Sequence, residues 1–234
     1  MVKEELIQRS PIRIFMNSIH GGLKPGELGV IASPSGIGKT SVLVQIALDK
    51  LLQGEKVIHV SFTRHTDHVL AWYEDIFDEF IRKKSLEHEQ DVKDDIVKSR
   101  VLMKFTQEGI SNEQIVRSLR ALIKDGGFNA TLIIIDGLDF SLVKEDHIAA
   151  IRSFAIDMGL SVWYSCNVTG EESLYDQQNV PLVIKDFADL FAVIIVLEPK
   201  SDHIALTVSR DRNAYNPEHM ELKLDPKTLL ILEN

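Results

Sequence analysis

One short segment constrains the fold of this 234-residue chain most, and it reads Ser33-Pro34-Ser35-Gly36-Ile37-Gly38-Lys39-Thr40. It follows an apolar run, Leu28–Ala32, that predicts a buried strand, and it leads into Thr40–Leu52, whose apolar residues recur at helical spacing. Closely spaced glycines allow backbone N–H groups to turn inward around an anion, and the start of a helix adds its positive end. The segment therefore predicts a phosphate-binding loop between a strand and a helix.

Each residue type in this loop has an expected task. Lys39 would reach the β and γ phosphates of a nucleotide, and the Thr40 hydroxyl would bind Mg²⁺, so the expected cofactors are ATP and Mg²⁺. The first position of the pattern G-x-x-x-x-G-K-[ST] is Ser33 instead of glycine. The plainer alternative is a glycine-rich turn that only begins a helix. The candidate nucleotide-binding residues are Ser35, Gly36, Ile37, Gly38, Lys39, Thr40 and Ser41.

An acidic partner for the loop is expected at the end of a neighbouring buried strand. The apolar run Leu132–Ile135 is followed directly by Asp136, whose carboxylate would hold the water shell of the Mg²⁺ ion. Many strands end in an aspartate at a turn, so this pattern alone does not indicate a site. It indicates one here because the glycine-rich loop precedes it in the chain. We predict a magnesium site formed by Thr40 and Asp136, and we expect nearby Asp139 to be a turn or cap residue.

Short runs rich in Val and Ile alternate with amphipathic stretches along the chain. This alternation predicts an α/β fold with a mostly parallel central sheet and helices on both faces. The expected strands are Leu28–Ala32, Val57–Phe62, Val101–Phe105, Leu132–Ile135, Ser161–Ser165, Phe191–Leu197 and Ile204–Arg210. The expected helices are Thr40–Leu52, Ser111–Lys124 and Asp146–Met158, and Ser111 and Gln114 have the spacing of a capping box. Because no linker or repeat interrupts the pattern, one domain is expected over residues 1–234.

Residues 63–100 do not follow this alternation of short strands and helices. They are expected to form a variable helical excursion. Four aromatic residues there are expected in the core: Trp72, Tyr73, Phe77 and Phe80. The charged run over residues 82–91 is expected to be a solvated surface, with a partner site as the less favoured alternative. His65-Thr66-Asp67-His68 has no second cluster of metal ligands elsewhere, so it predicts a helix N-terminus with Asp67 in the cap or first turn.

Composition excludes several classes of protein. A net charge of −9 and a pI of 5.4 argue against nucleic-acid binding through surface charge as the main task. A hydrophobic fraction of 44% argues against disorder. Cys166 is the one cysteine and fits a reducing cytosol. The acidic start Met1–Glu5 predicts no signal peptide, and the longest apolar run, Leu190–Leu197, is too short for a membrane span, so a cytoplasmic protein is expected.

With these parts in this order, the chain resembles the RecA superfamily of P-loop ATPases, in the branch that holds the KaiC clock proteins, the RadA recombination proteins and the DnaB-type helicases. The resemblance runs from about Ser10 to the end. Its carriers, besides the phosphate loop and the Asp136 strand, are Gly21-Gly22-Leu23-Lys24-Pro25-Gly26-Glu27-Leu28, Val57–Phe62 and Val208–Asn213. It implies a RecA-like P-loop NTPase core that binds ATP and assembles into hexameric rings or filaments.

The resemblance also suggests catalytic residues. In that branch a basic-x-Arg pair after a late strand reaches the nucleotide of the neighbouring subunit, and by position this pair is Arg210 and Arg212. The alternative is two surface arginines at a strand end. The candidate catalytic residues are Lys39, Asp136, Arg210 and Arg212, the last as an arginine finger in trans.

One departure concerns hydrolysis. The family carries its catalytic glutamate after the second strand, in the pattern Ser-Phe-Glu, whereas this chain reads Ser61-Phe62-Thr63-Arg64. A threonine hydroxyl is not a general base near neutral pH, and nothing in the spacing requires Glu74 or Asp75 to replace it. We therefore expect a regulatory or assembly-controlling ATP-binding protein with a protein partner and slow or absent ATP hydrolysis.

A second departure concerns DNA. The loops that line the DNA path in relatives correspond to residues 137–146 and 167–179, and acidic residues outnumber basic ones in both. Cys166 or Asn167 occupies the place of the polar γ-phosphate sensor. DNA binding is thus disfavoured, and the alternative functions are an active DNA-dependent ATPase of the recombination or helicase-accessory type, and a remnant that no longer binds nucleotide.

Overall fold

The structure, a computed structural model, describes residues 11–63, 66–82, 89–170, 174–215 and 222–232. Its strands are β1 Leu28–Ser33, β2 Lys56–Ser61, β3 Arg100–Lys104, β4 Ala130–Asp136, β5 Ser161–Asn167, β6 Val193–Pro199, β7 Ile204–Asp211, β8 Ala214–Tyr215, β9 Lys223–Leu224 and β10 Ile231–Leu232. Its α-helices are α1 Pro11–Ser18, α2 Lys39–Leu52, α3 Thr66–Arg82, α4 Glu89–Lys98, α5 Asn112–Arg120 and α6 Glu145–Met158. A π-helical turn at Ala121–Asp125 and 3₁₀ turns at Phe140–Leu142 and Leu182–Leu190 complete them.

All ten strands form one sheet, in the order β10-β9-β7-β6-β1-β5-β4-β2-β3, with β8 beside β7. The strands from β3 to β6 in this order are parallel, and β7 to β10 are antiparallel additions at one side. The parallel strands therefore end together at one edge, here called the carboxyl edge, where Ser33, Ser61, Asp136 and Asn167 lie. Their starts define the opposite amino edge.

Two apolar clusters cover the two faces of the sheet. Helices α1 to α4 pack on one face, and α5, α6 and the turn at Leu182–Leu190 pack on the other. Successive strand residues alternate between the clusters, so Trp163 and Tyr164 of β5 lie on opposite sides. Gly29 of β1 allows the Trp163 ring to approach, because a Cβ there would lie 2.6 Å from the ring. The predicted α/β fold with a mostly parallel sheet between helices is confirmed.

Several local predictions are also confirmed. Ser111 and Gln114 form both halves of a capping box, although the predicted helix Ser111–Lys124 continues from α5 into the π-helical turn. Asp67 lies in the first turn of α3. The predicted strand Phe191–Leu197 begins two residues later, because residues 182–190 form the 3₁₀ turn.

The excursion over residues 63–100 contains α3 and α4. Tyr73 and Phe77 are buried in the core, as predicted, whereas Trp72 and Phe80 are only partly buried and pack against the same cluster. Arg64 and His65, and residues 83–88 of the charged run, lie outside the described residues. Within the described ranges, no helix combines the length and the apolar character needed to cross a membrane.

Candidate functional site

The glycine-rich loop connects β1 to α2 at the carboxyl edge. Gly36 and Gly38 have φ angles of 81° and 113°, in the left-handed region that disfavours other residues. Gly38 is the N-cap residue of α2, so the loop ends where the helix presents its free backbone N–H groups. The loop therefore has the backbone geometry that its sequence predicts for binding an anion.

Lys39 extends back over this loop. Its Nζ donates to the carbonyl oxygens of Ser33 at 3.0 Å and Pro34 at 2.8 Å, and to the Ser33 hydroxyl at 3.2 Å. Burial lowers the pKa of the ammonium group to about 8, while Cys166 and Asp136 act in the opposite direction. The contacts of this cation are neutral oxygens, which an anionic ligand can replace.

Thr40 and Asp136 meet although they are 96 residues apart. The Thr40 hydroxyl donates to Asp136 Oδ2 at 2.9 Å. The strand that carries the aspartate is not adjacent to β1, because β5 lies between β1 and β4, but the parallel arrangement brings both residues to the carboxyl edge. Two hard oxygen donors, a hydroxyl and a carboxylate, therefore converge beside the loop.

Two further residues hold the carboxylate in place, and the sequence reasoning missed both. His59 Nε2 lies 3.9 Å from Asp136 Oδ2, and the Ser165 hydroxyl, which accepts a hydrogen bond from the Gly137 amide at 2.8 Å, lies close to the same carboxyl group. Burial alone would raise the pKa of Asp136, but contacts with His59, Ser165 and Thr40 outweigh it and hold the pKa below its usual value. The site aspartate is therefore anionic at neutral pH.

The sequence marks His59 only as a polar residue inside an otherwise apolar strand, and its relation to Asp136 follows from the strand register. His59 lies within the apolar strand β2, two residues before Ser61, which is in register with Asp136. Since side chains alternate along a strand, His59 and Ser61 lie on the same face as Asp136. The Nδ1 atom of His59 is 3.2 Å from the Tyr73 hydroxyl of α3. The helical excursion therefore contacts the site through His59.

Thr63, in the place of the expected glutamate, lies beside Asp136. A Cβ at Gly137 would be 2.7 Å from Thr63 Cγ2, so these two residues are in close contact. The hydroxyl groups of Thr63 and Ser61 are 2.8 Å apart and share a hydrogen bond. Glu74 and Asp75 are exposed on α3. The position is thus next to the site but carries no base.

The C-terminal strands contact the same loop. The Leu229 carbonyl accepts hydrogen bonds from the Ser41 hydroxyl at 2.8 Å and from Gln45 Nε2 at 3.0 Å, and the Ile231 amide donates to Gln45 Oε1 at 3.0 Å. A Cβ at Gly38 would lie 3.4 Å from Leu229. The Ser41 hydroxyl, predicted to help bind a nucleotide, is therefore occupied by a structural contact.

Arg210 and Arg212 lie far from this loop. In the β6–β7 register Arg210 pairs with Ile194 and Asp211 with Val193, which is level with Gly29 near the start of β1. Four residues of β1, about 13 Å, separate this level from Ser33. The two arginines are therefore at the amino edge and cannot reach a phosphate held by the loop of the same chain.

Both arginines have intrachain partners at that edge. Arg212 binds Glu27 through Nε at 3.1 Å and Nη2 at 3.0 Å, donates to the Gly22 carbonyl at 2.9 Å and pairs with Asp211. Arg210 Nη1 donates to the Ala188 carbonyl at 2.8 Å and to Asp189 at 2.6 Å. The Gly21–Leu28 segment and the arginine pair thus form one structural network, and the trans role of the arginines stays a prediction.

The remaining candidates lie around the carboxyl edge. Asp139 caps the 3₁₀ turn at Phe140–Leu142 by accepting from the Ser141 amide at 3.0 Å, which confirms its predicted cap role. Cys166 is fully buried, and burial raises the pKa of its thiol to about 12. Asn167 is exposed and in register with Ser33. Glu171, Glu172 and Ser173 of the acidic loop lie outside the described residues.

The described residues contain no cluster of three or more His, Cys, Asp and Glu side chains suited to hold a metal. A cation here would instead need oxygen atoms from a ligand to complete its coordination by Thr40 and Asp136. The arrangement can thus bind an anion in the loop and a hard cation at its flank. Neither the scan against family models nor the search of curated proteins found a match.

Proposed function

We propose that this protein binds Mg·ATP in the loop between β1 and α2. The observation that carries the proposal is the meeting of Thr40 and Asp136, 2.9 Å apart, beside a loop whose two glycines are left-handed. A glycine-rich turn that only begins a helix has no need of a buried carboxylate from another strand at its flank. The paired features match what a phosphate-bound cation requires.

The residues present fit the two cofactors. Backbone N–H groups of the loop and the start of α2 would surround the phosphates, and Lys39 would exchange its carbonyl contacts for phosphate oxygens. Thr40 and Asp136 would hold Mg²⁺, directly or through water. The bound ion would neutralise phosphate charge. In this proposal the chain has a RecA-like P-loop NTPase core, the finer form of the fold described above.

Hydrolysis is proposed to be slow, because Thr63 occupies the flank of the site without a carboxylate. Positioning and charge neutralisation by Lys39 and Mg²⁺ would still support some phosphoryl transfer. A nucleotide that is bound for long periods suits control of assembly or of a protein partner better than mechanical work. We therefore propose a regulatory ATP-binding protein, with assembly into rings or filaments as the RecA-like expectation.

Calorimetric titration with Mg·ATP tests the proposal. Lys39→Ala should abolish measurable binding, because the loop then lacks its only side-chain cation among residues 33–40. Lys50→Ala is the matched control, since Lys50 lies on the same helix and pairs with Glu55. Unchanged affinity in Lys39→Ala, with a normal thermal melt, would contradict the proposal.

A second measurement separates a regulator from an active ATPase. Phosphate release and light scattering are followed in one sample with Mg·ATP, with and without single-stranded DNA. Nucleotide-dependent assembly with little phosphate release supports the regulatory proposal. Rapid release that DNA stimulates would favour the DNA-dependent ATPase instead.

A further inference from the structure

A buried histidine beside the candidate cation site has one ring nitrogen without a partner. His59 of β2 is fully buried, and its Nε2 atom has no hydrogen bond to any residue that the structure describes. Asp136 Oδ2, at 3.9 Å, is too distant for a hydrogen bond but close enough for an electrostatic interaction. A buried polar atom without a partner is costly, so this position of His59 requires an explanation.

The other ring nitrogen of His59 contacts the helical excursion. Its Nδ1 atom lies 3.2 Å from the Tyr73 hydroxyl, and the two rings meet edge to face with their centroids 5.7 Å apart. The Arg100 guanidinium group lies over the Tyr73 ring, 4.1 Å from its centroid. Burial raises the pKa of the Tyr73 hydroxyl, which therefore keeps its proton near neutral pH. The hydroxyl can thus donate to Nδ1.

These two neighbours favour one tautomer of His59. A ring with its proton on Nε2 accepts from Tyr73 at Nδ1 and turns an N–H group toward the anionic Asp136. The opposite tautomer would turn a lone pair toward that carboxylate, which is electrostatically unfavourable. Oδ2 of Asp136 already accepts from the Thr40 hydroxyl at 2.9 Å, and a carboxylate oxygen can accept two hydrogen bonds. A shift of about 1 Å would bring it within reach of His59 Nε2.

We propose that His59 is a positioning residue of the cation site, whose Nε2–H group orients the Asp136 carboxylate for Mg²⁺. This inference rests on the proposed binding of Mg·ATP. The ligands of metal ions are commonly oriented by such outer hydrogen bonds, and the loss of one typically reduces metal affinity by about 10- to 100-fold. Strand β2 therefore contributes to the site although it is not a neighbour of β1 in the sheet.

Two calorimetric titrations with ATP, one with Mg²⁺ and one with excess EDTA, test the proposal. The unaltered protein should bind ATP more tightly with Mg²⁺, and His59→Leu should reduce this gain by about 10- to 100-fold while the affinity in EDTA stays the same. A merely structural role of His59 would change both affinities. His59→Gln is the matched control, because its side-chain amide also offers an N–H donor and should retain most of the gain.

Nitrogen NMR of the imidazole rings gives a readout that does not depend on nucleotide. The ¹⁵N-labelled full-length chain should show His59 with a proton on Nε2. A ring without a proton on Nε2, or an unchanged gain from Mg²⁺ in a folded His59→Leu, would overturn this inference and leave the proposed function intact. If His59→Leu does not fold, His59→Met provides the same titrations. Failure of the unaltered protein to bind Mg·ATP would instead refute the proposed function, and this inference with it.

Discussion

The two edges of the parallel sheet use cations in opposite ways. At the carboxyl edge, Lys39 donates to neutral oxygens of Ser33 and Pro34. At the amino edge, Arg212 pairs with the carboxylates of Glu27 and Asp211. Arg212 is attracted by two opposite charges, whereas Lys39 contacts only neutral oxygens, so the lysine is the easier of the two cations to recruit for an anionic ligand.

This difference teaches that the type of a residue does not by itself tell whether its side chain is free to bind a ligand. A basic residue looks the same in the sequence whether its partners in the fold are carbonyl groups or carboxylates. To bind an anion, Lys39 would exchange contacts with neutral oxygens, whereas Arg212 would first have to leave its own carboxylates. The following predictions test that contrast.

The largest effect is expected from supplying a base at the carboxyl edge. Thr63→Glu should raise the rate of phosphate release by about 100-fold, since a positioned general base contributes at least this much. Thr63→Gln is the matched control, because it has nearly the same size and no carboxylate. Equal rates of phosphate release in the two variants would show that the missing glutamate is not what limits hydrolysis.

At the amino edge we expect a loss of stability instead. Arg212→Ala should lower the free energy of unfolding by about 3 kcal/mol, because it removes hydrogen bonds to Glu27 and Asp211 together, although His20 still contacts the Asp211 carboxylate. Mg·ATP affinity of the isolated subunit should be unchanged. Urea unfolding and calorimetry measure the two quantities. If Arg212→Ala were as stable as the unaltered protein but bound Mg·ATP more weakly, the proposed contrast between the two edges would be wrong.

The smallest effect concerns pH. Asp49, near the end of α2, has its pKa raised to about 6 by burial, although Arg13 acts against this shift. Arg13 Nε lies 2.8 Å from the carboxylate but is poorly aligned for a hydrogen bond. Since the folded-state pKa is above the unfolded value, the stability linked to Asp49 is fully present below about pH 4 and is lost as the pH rises through 6.

Between pH 4 and 7 the loss should amount to about 2 kcal/mol, because each pKa unit corresponds to about 1.4 kcal/mol and the unfolded chain is already partly ionised at pH 4. Urea unfolding between pH 4 and 7, compared with Asp49→Asn, measures it as the pH-dependent difference between the two proteins. If the two proteins changed in stability by the same amount between pH 4 and 7, the prediction of a raised Asp49 pKa would be wrong.

Much of the carboxyl edge was predictable because its signals are local. The left-handed glycines Gly36 and Gly38 and the start of α2 follow from a glycine-rich turn between an apolar strand and a helix. The position of Asp136 beside Thr40 follows from the rule that parallel strands end at one edge. Neither inference requires knowing which strands are adjacent. Both hold although β5 lies between β1 and β4.

Other assignments depended on long-range packing. The Ser41 hydroxyl looked available for a nucleotide, but Leu229, almost two hundred residues later, accepts its hydrogen bond. His59 and Ser165 support Asp136 from two other strands, and no spacing rule connects the three. Their relation exists only once the register of β2, β4 and β5 is fixed.

The sequence by itself determined the alternation of strands and helices, the glycine-rich loop before α2 and the acidic strand end, because hydrophobic periodicity and local turn chemistry act within a few residues. The tertiary structure alone decided which cations have carboxylate partners and that the Leu229 carbonyl accepts the hydrogen bond of the Ser41 hydroxyl. The physical reason is that hydrogen-bond partners and packing volumes arise from residues distant in the chain, and the strand register that joins them is a property of the whole sheet.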